Sequence, residues 1–220
     1  PVAELQEEGM ARKYTREELR ERLRRSVYKV VTEDGIEGVT VRKVSKGCEL
    51  SDPYIYQCYR DLFDLMETSF LEIDREIAGM MKALIEKQTT EQKTTQESEE
   101  TCWTLWSAYW KFLMSDPERT VFYWRFYQSA RYTREILKVR QQEYKVLIDY
   151  VETLGKLSGV SDLMDAEVIV SNIVDSTVSV AVKMHLGYMD STALKERTIY
   201  QFVFALLFHL LHIDVWNGEI

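Results

Sequence analysis

Residues 40–65 read TVRKVSKGCELSDPYIYQCYRDLFDL and contain two short apolar rhythms separated by a few turn-forming residues. In the first rhythm, Val41 and Val44 lie three positions apart. In the second, Ile55 and Tyr59 lie four positions apart. Because this spacing places apolar side chains on one face of a helix, the segment predicts two short helices joined by a tight turn, which is a helix-turn-helix in outline.

The ends of these two helices carry residues that are typical of helix caps and turns. Thr40 can accept a hydrogen bond from the first turn of the earlier helix. Ser51 is predicted to cap the later helix, with Asp52 and Pro53 in its first turn. Glu49 stands in the turn, at a place where glycine would adopt a positive φ without cost.

A longer amphipathic helix is predicted ahead of this segment, over residues 15–33. Thr15 and Glu18 have the spacing of a capping box, and Gly35 is suited to the position that follows the last turn. The apolar stripe of this helix consists of Leu19, Leu23, Val27, Val30 and Val31.

Composition and periodicity predict an all-α fold of about nine helices. Hydrophobic residues make up 45% of the 220 residues, with only 3 Pro and 9 Gly, so the chain can bury a core and has little turn punctuation. Residues 163–186 are rich in β-branched side chains and would also suit a strand, but a helical stripe and helical neighbours favour a helix. The six helices predicted after the helix-turn-helix cover residues 61–87, 102–114, 117–130, 132–154, 163–186 and 192–213.

The predicted domain organisation has three parts. Residues 1–14 are expected to form a flexible tail, residues 15–62 a three-helix helix-turn-helix head, and residues 63–220 a C-terminal helical bundle. Residues 86–100 lack apolar side chains and predict either a solvated helix end or a mobile loop.

Charge is distributed unevenly along the chain. The net charge is -8, yet residues 12–60 contain twelve basic and eight acidic residues, so this window carries +4 and the remainder -12. Such asymmetry suggests an end that faces nucleic acid attached to an acidic body, although a solvated basic helix would produce it too.

Cysteine usage and hydropathy favour a cytoplasmic protein. Cys48, Cys58 and Cys102 show no CxxC spacing, which argues against a disulfide framework and a zinc site. The most apolar segment, at residues 199–213, is shorter than the ~20 residues that span a bilayer. We therefore expect no membrane association.

Motifs of catalysis are also missing from the sequence. His209 and His212 share a helix face, but no Glu-x-x-His or His-Glu-x-x-His motif accompanies them. GxSxG, Walker A and dinucleotide-binding glycine patterns are absent as well. We expect neither an enzyme nor a bound metal or cofactor.

The segment GVTVRKVSKGCELSDPYIYQCYRDLFDLM at residues 38–66 resembles the tetracycline-repressor (TetR) family of bacterial transcription regulators. It is similar to the second and third helices of that family and to the start of the fourth. Residues 40–42 match the family's Thr-Val-Arg opening, and Tyr56 and Tyr59 match its Tyr-x-x-Phe/Tyr close. Further along the chain, the resemblance lies in length and helix count.

The resemblance implies a transcription regulator, most simply a repressor, that binds a palindrome in double-stranded DNA as a homodimer. This chain departs from the family at Glu49, where glycine is usual, at Asp52, where lysine is often found, and at Leu62, where a lysine usually contacts phosphate. The alternative for these short helices is ordinary core packing under a solvated surface. The candidate DNA-binding residues are Thr40, Arg42, Lys43, Ser51, Asp52, Tyr54, Tyr56, Gln57 and Arg60.

The body of the protein is expected to bind an apolar or aromatic small-molecule effector and to hold the dimer together. Each aromatic residue is as well explained by core packing as by a pocket. A helical adaptor with a degenerate DNA-binding head is the alternative function. The candidate ligand-binding residues are Trp103, Trp106, Trp110, Phe122 and Phe126, and the candidate dimer-interface residues are Ile169, Ile173, Val180, Phe202, Leu206 and His209.

Overall fold

The computed structural model describes residues 14–87, 95–190 and 196–212. Across these residues the regular structure is helical and no strand is present, which confirms the predicted all-α fold. Residues 1–13 of the predicted tail and residues 88–94 of the polar stretch lie outside the described residues. No helix in the described ranges is long and apolar enough to cross a membrane.

The described ranges contain ten α-helices, one more than the sequence predicts. The additional helix arises at Tyr144, which divides the helix predicted over residues 132–154. Tyr144 has φ -86° and ψ 1°, and neither proline nor glycine marks the break. The helices are α1 (Arg16–Asp34), α2 (Val41–Gly47), α3 (Pro53–Cys58), α4 (Leu62–Glu86), α5 (Thr95–Ser115), α6 (Pro117–Tyr127), α7 (Arg134–Glu143), α8 (Lys145–Leu157), α9 (Ala166–His185) and α10 (Glu196–Leu210).

The chain divides into two compact units, Pro1–Ser69 and Phe70–Ile220. The division falls within α4, so this helix contributes residues to both units. The predicted boundary lay at residue 62, and the roles assigned to the two domains stay predictions.

In the first unit, α1 begins and ends as its sequence predicts. The backbone N–H of Thr15 donates to Glu18 Oε2 at 2.7 Å, and the Glu18 N–H donates to Thr15 Oγ1 at 3.2 Å. Gly35 follows the helix with φ 77°, a left-handed conformation that glycine adopts without steric cost. All five residues of the predicted apolar stripe are buried.

The turn between α2 and α3 differs from the prediction in how α3 begins. Thr40 caps α2 through the Lys43 N–H, as predicted. The prediction that Ser51 caps α3 is wrong, because Asp52 occupies the cap position and no side chain caps this helix. Asp52 already has helical φ and ψ of -51° and -38°, whereas a capping side chain requires an extended backbone. The Ser51 carbonyl accepts from the Tyr54 N–H instead.

Two residues near this turn have separate structural roles. Glu49 has φ 57°, which confirms that a side chain stands where glycine would be unstrained. Gly47 allows α2 to approach α1 closely, because a Cβ at this position would lie 2.3 Å from Ser26 Oγ. That hydroxyl donates to the Val44 carbonyl at 2.6 Å.

In the second unit, α9 is a helix, as the stripe predicted, despite its β-branched residues. The helix α6 begins with Pro117 in its first turn, and the Asp116 side chain caps it by accepting from the Arg119 N–H. The core of this unit is dominated by aromatic and branched side chains from α4 to α10. Its largest fully buried side chains are Trp106, Tyr123, Tyr200, Phe70, Phe122, Phe126 and Phe208.

Candidate DNA-binding and effector sites

The helix-turn-helix separates a buried side from an exposed side. Ile55 and Cys58 point into the core, while Tyr56 on the same helix is 58% exposed. Tyr54 is half-buried. The remaining predicted DNA-binding residues are all exposed: Thr40, Arg42, Lys43, Ser51, Asp52, Gln57 and Arg60.

Two of the basic residues on this surface are already paired within the protein. Lys43 Nζ lies 3.1 Å from Asp34 and donates to the Gly38 carbonyl at 2.9 Å. A guanidinium nitrogen of Arg60 lies 3.2 Å from Asp64, and the Arg60 backbone N–H also donates to that carboxylate at 2.8 Å, which lowers the Asp64 pKa. The positive charges of Lys43 and Arg60 are therefore partly neutralised by carboxylates of the protein.

Arg42 and Lys46 differ from these paired bases. Both are exposed, and within the described residues neither has a carboxylate at ion-pair distance. Arg42 is therefore the strongest candidate for contact with a base, since a guanidinium can donate two hydrogen bonds to guanine.

The five predicted ligand-binding aromatics do not converge on one space. Trp106 stacks between Trp103 and Trp110, with ring centroids 5.6 and 5.4 Å apart. Phe126 packs instead on Phe70 at 4.9 Å and on Phe122 at 6.0 Å. Sequence spacing identified rings that are mostly buried, but it did not show which of them line a cavity.

An apolar cavity of about 50 Å³ lies in the second unit. Trp106 is the one residue of the five predicted that lines it. Tyr109 also lines the cavity, and its buried hydroxyl has no hydrogen-bond partner among the described residues. The other lining residues are Met81, Cys102, Leu105, Leu147, Tyr150, Val151, Val170, Ile173, Val174, Phe204 and Leu207.

A second space of about 70 Å³, the Arg140 pocket, lies between α7, α8 and α9. Arg140 and Tyr144 provide polar groups on one side. On the rim, the Gln141 amide donates to Glu167 at 2.5 Å, which joins α7 to α9. The remaining lining residues are Leu137, Ile148, Val170, Ser171 and Val174.

Arg140 of this pocket faces a buried carboxylate that the sequence pattern did not predict. Asp74 is fully buried and accepts from the hydroxyls of Tyr123 at 2.7 Å and Tyr144 at 3.2 Å. The Nε atom of Arg140 lies 3.5 Å from the same oxygen, Asp74 Oδ1. The other oxygen, Oδ2, has no partner among the described residues. The available signal was an acidic residue on the apolar face of α4, since such residues are rarely buried without a partner.

The electrostatics of this cluster are set mainly by burial. Burial raises the pKa of Asp74, and the opposing effect of Arg140 does not cancel it. Asp175, whose side chain accepts from Tyr127 at 3.0 Å, also has a raised pKa because of burial. The Arg140 guanidinium lies 4.7 Å from the Tyr127 ring centre, so aromatic faces contribute to holding it.

The predicted dimer-interface residues fall into two groups. Phe202 is 76% exposed and Leu206 55% exposed, and His209 is exposed on the same helix. Ile169, by contrast, is buried within the protein, and Ile173 lines the apolar cavity. The sixth, Val180, is half-buried on α9.

The histidines do not form a metal centre within the described part of the chain. No group of three or more His, Cys, Asp or Glu side chains suited to a metal occurs there. His185 Nε2 lies 3.0 Å from the Leu113 carbonyl, which is an ordinary structural contact.

Several solved structures share this fold. A TetR family transcription regulator from Marinobacter aquaeolei VT8 aligns with a TM-score of 0.69 and 17% identity, covering 87% of this chain and 94% of that protein. A TetR-like transcriptional regulator from Rhodococcus sp. RHA1 aligns with a TM-score of 0.63 and 14% identity, covering 92% and 100%.

A third similar structure has a bound ligand. It is the transcriptional regulator FadR from Bacillus subtilis in complex with stearoyl-CoA, with a TM-score of 0.62, 15% identity and coverage of 88% of this chain and 98% of that protein. No protein-family model and no curated protein matches the sequence. The chain therefore has the fold of TetR-family transcription regulators, as the motif at residues 38–66 predicted.

Proposed function

We propose that this chain is a cytoplasmic, DNA-binding transcription regulator, most simply a repressor, that works as a homodimer under the control of a small effector. The observation that carries this proposal is the exposed side of the helix-turn-helix. There, a helix with a buried apolar side presents Tyr56 and Gln57 outward. The preceding helix carries the exposed Arg42, which has no carboxylate at ion-pair distance among the described residues. The three similar solved structures described above are transcription regulators.

Recognition of DNA would divide between positioning and reading. Thr40 and the first amides of α2 suit a phosphate, and Tyr56 and Gln57 can donate to neighbouring phosphates. Arg42 can read guanine through O6 and N7, and Asp52 can accept from the amino group of cytosine. In a homodimer the two heads would enter successive major grooves, so the half-sites should lie about 34 Å apart or a multiple of that distance.

Association of two copies would use α10 and the adjoining face of α9. Phe202, Leu206 and His209 follow one another at helical spacing on the exposed side of α10. Large exposed apolar side chains in a stripe are typical of an interface. Ile169 is buried within the single chain and Ile173 lines the apolar cavity, which favours this stripe over those two residues as the main contact.

The apolar cavity is the proposed effector site. Its lining is apolar and aromatic, as small-molecule sites usually are, but its volume of about 50 Å³ is well below the ~150 Å³ of a cavity that holds benzene. An acyl chain as long as that of stearoyl-CoA would require the cavity to enlarge. An effector would change DNA affinity only if it binds one arrangement of the dimer better than the other.

A helical adaptor with a degenerate DNA-binding head remains the second candidate. The support for this candidate is electrostatic. Lys43 and Arg60 are paired with carboxylates of the protein. Asp52 adds a negative charge, and Leu62 stands where the TetR family usually has a lysine that contacts phosphate. A head with so few available cations would bind DNA weakly or not at all.

Selection of DNA from a random double-stranded pool, followed by binding of the enriched sequence over a salt series, tests the proposal. We expect a palindrome whose affinity falls steeply with salt. Arg42→Ala should weaken its binding by about 1–3 kcal/mol and relax sequence preference at one position. Arg134→Ala, which removes an exposed arginine of α7, is the matched control and should bind normally. A folded protein that enriches no sequence at low salt would favour the adaptor.

A further inference from the structure

The apolar cavity and the Arg140 pocket share a wall. Val170 and Val174 of α9 line both spaces. The cavity measures about 50 Å³ and the pocket about 70 Å³, so each alone is smaller than the ~150 Å³ cavity that holds benzene. A ligand that displaces these two valine side chains would occupy both spaces at once, with an apolar part in one and a polar end in the other.

Arg140 provides the polar end of this combined space. Its guanidinium donates to the Tyr123 hydroxyl at 3.1 Å, but the carboxylate that it faces, Asp74, is poorly placed. A guanidinium binds a carboxylate best through two parallel hydrogen bonds. Asp74 offers Arg140 a single oxygen at 3.5 Å, and that oxygen also accepts from two tyrosines. Its second oxygen has no partner among the described residues. The geometry leaves Arg140 able to donate to a better-placed carboxylate that enters from the pocket.

We propose that the two spaces form one site for an apolar molecule that ends in a carboxylate, with the carboxylate binding Arg140 in place of Asp74. The inference rests on the proposed effector function and names the chemical class of the effector. Tyr144 lines the same pocket, and its hydroxyl donates to Asp74 until the ligand arrives. On exchange, the hydroxyl becomes free to donate to the ligand.

The exchange also determines what happens to Asp74. Burial already raises the pKa of this carboxyl, and Arg140 is the main group that opposes the rise. When the ligand takes Arg140, Asp74 loses that support and binds a proton, so the total charge of the cluster is unchanged. The other groups that face Arg140 are Tyr109, Tyr123, Tyr127, Tyr132, Tyr144 and Asp175.

Calorimetric titration of the full chain without DNA tests this proposal. The probes are hexanoate, 1-hexanol and hexylamine, followed by the same three head groups on a dodecyl chain. We expect the carboxylate to bind at least about tenfold more tightly than the matched alcohol, the difference that one charge-assisted hydrogen bond supplies. The binding heat should vary with the ionisation enthalpy of the buffer in the sense of proton uptake.

Two variants give opposite expected results. Arg140→Gln should remove the preference for the carboxylate over the alcohol. Asp74→Asn, which imitates the protonated carboxyl and frees Arg140, should tighten carboxylate binding by about tenfold. Arg134→Gln on the same helix is exposed and should change neither. Thermal melts establish which variants fold. If a variant does not fold, the comparison of carboxylate, alcohol and amine on the unmodified protein tests the proposal without it.

Several results would overturn the proposal. These are an amine or alcohol that binds as tightly as the carboxylate, an Asp74→Asn variant that folds but binds the carboxylate more weakly, and no binding by either carboxylate. The selected palindrome is measured separately, so operator binding by a protein that shows no carboxylate preference would contradict this inference alone. If the protein prefers the carboxylate but binds no selected DNA sequence, the result would contradict the proposed regulator function and not this inference.

Discussion

Gly47 illustrates how a single side chain can control the approach of two helices. In an exposed helix, alanine is ordinarily more favourable than glycine by about 1 kcal/mol. Here an added Cβ would lie 2.3 Å from Ser26 Oγ, which is fixed by its hydrogen bond to Val44. We therefore expect Gly47→Ala to lower the free energy of unfolding by about 1–3 kcal/mol, measured by urea denaturation.

The control for this prediction removes the obstructing atom. In the double variant Ser26→Ala with Gly47→Ala, the nearest remaining side-chain atom would be the Ser26-position Cβ at 3.5 Å, an ordinary contact. The double variant should be more stable than the sum of the two single changes predicts. A Gly47→Ala protein that is more stable than the parent would show that helix propensity outweighs the contact with Ser26.

Asp74 makes a prediction about pH because burial raises its pKa. A carboxyl whose pKa is higher in the folded than in the unfolded protein binds more protons when folded, so its contribution to stability is greatest below the unfolded value near ~3.9 and falls as pH rises through the folded value. As the pH rises from the unfolded pKa of the carboxyl through its folded pKa, we expect the free energy of unfolding of the parent to fall relative to that of Asp74→Asn. Urea denaturation at a series of pH values measures the difference, and parallel curves for the two proteins would contradict it.

At the scale of the helix, local sequence accounts for the beginnings and faces of most elements. Thr15 and Thr40 cap their helices as predicted, because a cap depends on residues within one turn. The division at Tyr144 could not be predicted from the sequence, since no breaking residue marks it. It coincides with a buried hydroxyl bound to Asp74, seventy positions away, and such tertiary contacts leave no local signal.

The candidate sites show the same limit. The exposed side of the helix-turn-helix was predictable from helical periodicity and a family motif, both of which are local. The cavity was not, because spacing shows which rings share a face but not what that face meets. Trp106 lines the cavity, whereas Phe122 and Phe126 belong to a buried cluster with Phe70. An acidic residue within an apolar stripe was the one local sign of the Asp74 cluster.

The valine wall of α9 yields a prediction at this scale. Val174→Ala should connect the apolar cavity with the Arg140 pocket, because Val174 lines both. We expect an unfolding free energy lower by about 1–3 kcal/mol, together with tighter binding of the dodecyl carboxylate. Val178→Ala is the control, since Val178 is also buried on the same helix but lines neither space. If the two changes alter ligand binding equally, Val174 does not separate the two spaces in the way proposed.

At the scale of the whole molecule, the proposed DNA binding would depend on the assembly as much as on the head. A single head has few cations available for phosphate, since Lys43 and Arg60 have protein partners. Two heads held at a fixed spacing turn the second half-site contact into an intramolecular step, which raises the affinity without any new contact. The acidic body, which carries most of the chain's negative charge, would contribute nothing favourable to a phosphate surface.

Phe202→Glu tests this dependence. Phe202 is 76% exposed on the apolar stripe of α10, so a charge there should leave the fold intact while preventing burial between two copies. We expect sedimentation to show a monomer, and binding to the selected palindrome to fall to that of an isolated half-site. Leu163→Glu, at a position 73% exposed outside α9 and α10, should remain dimeric. If the Phe202→Glu protein is still a dimer, the interface does not include this stripe of α10. If the parent protein is a monomer and binds the palindrome with full affinity, DNA binding does not require a dimer.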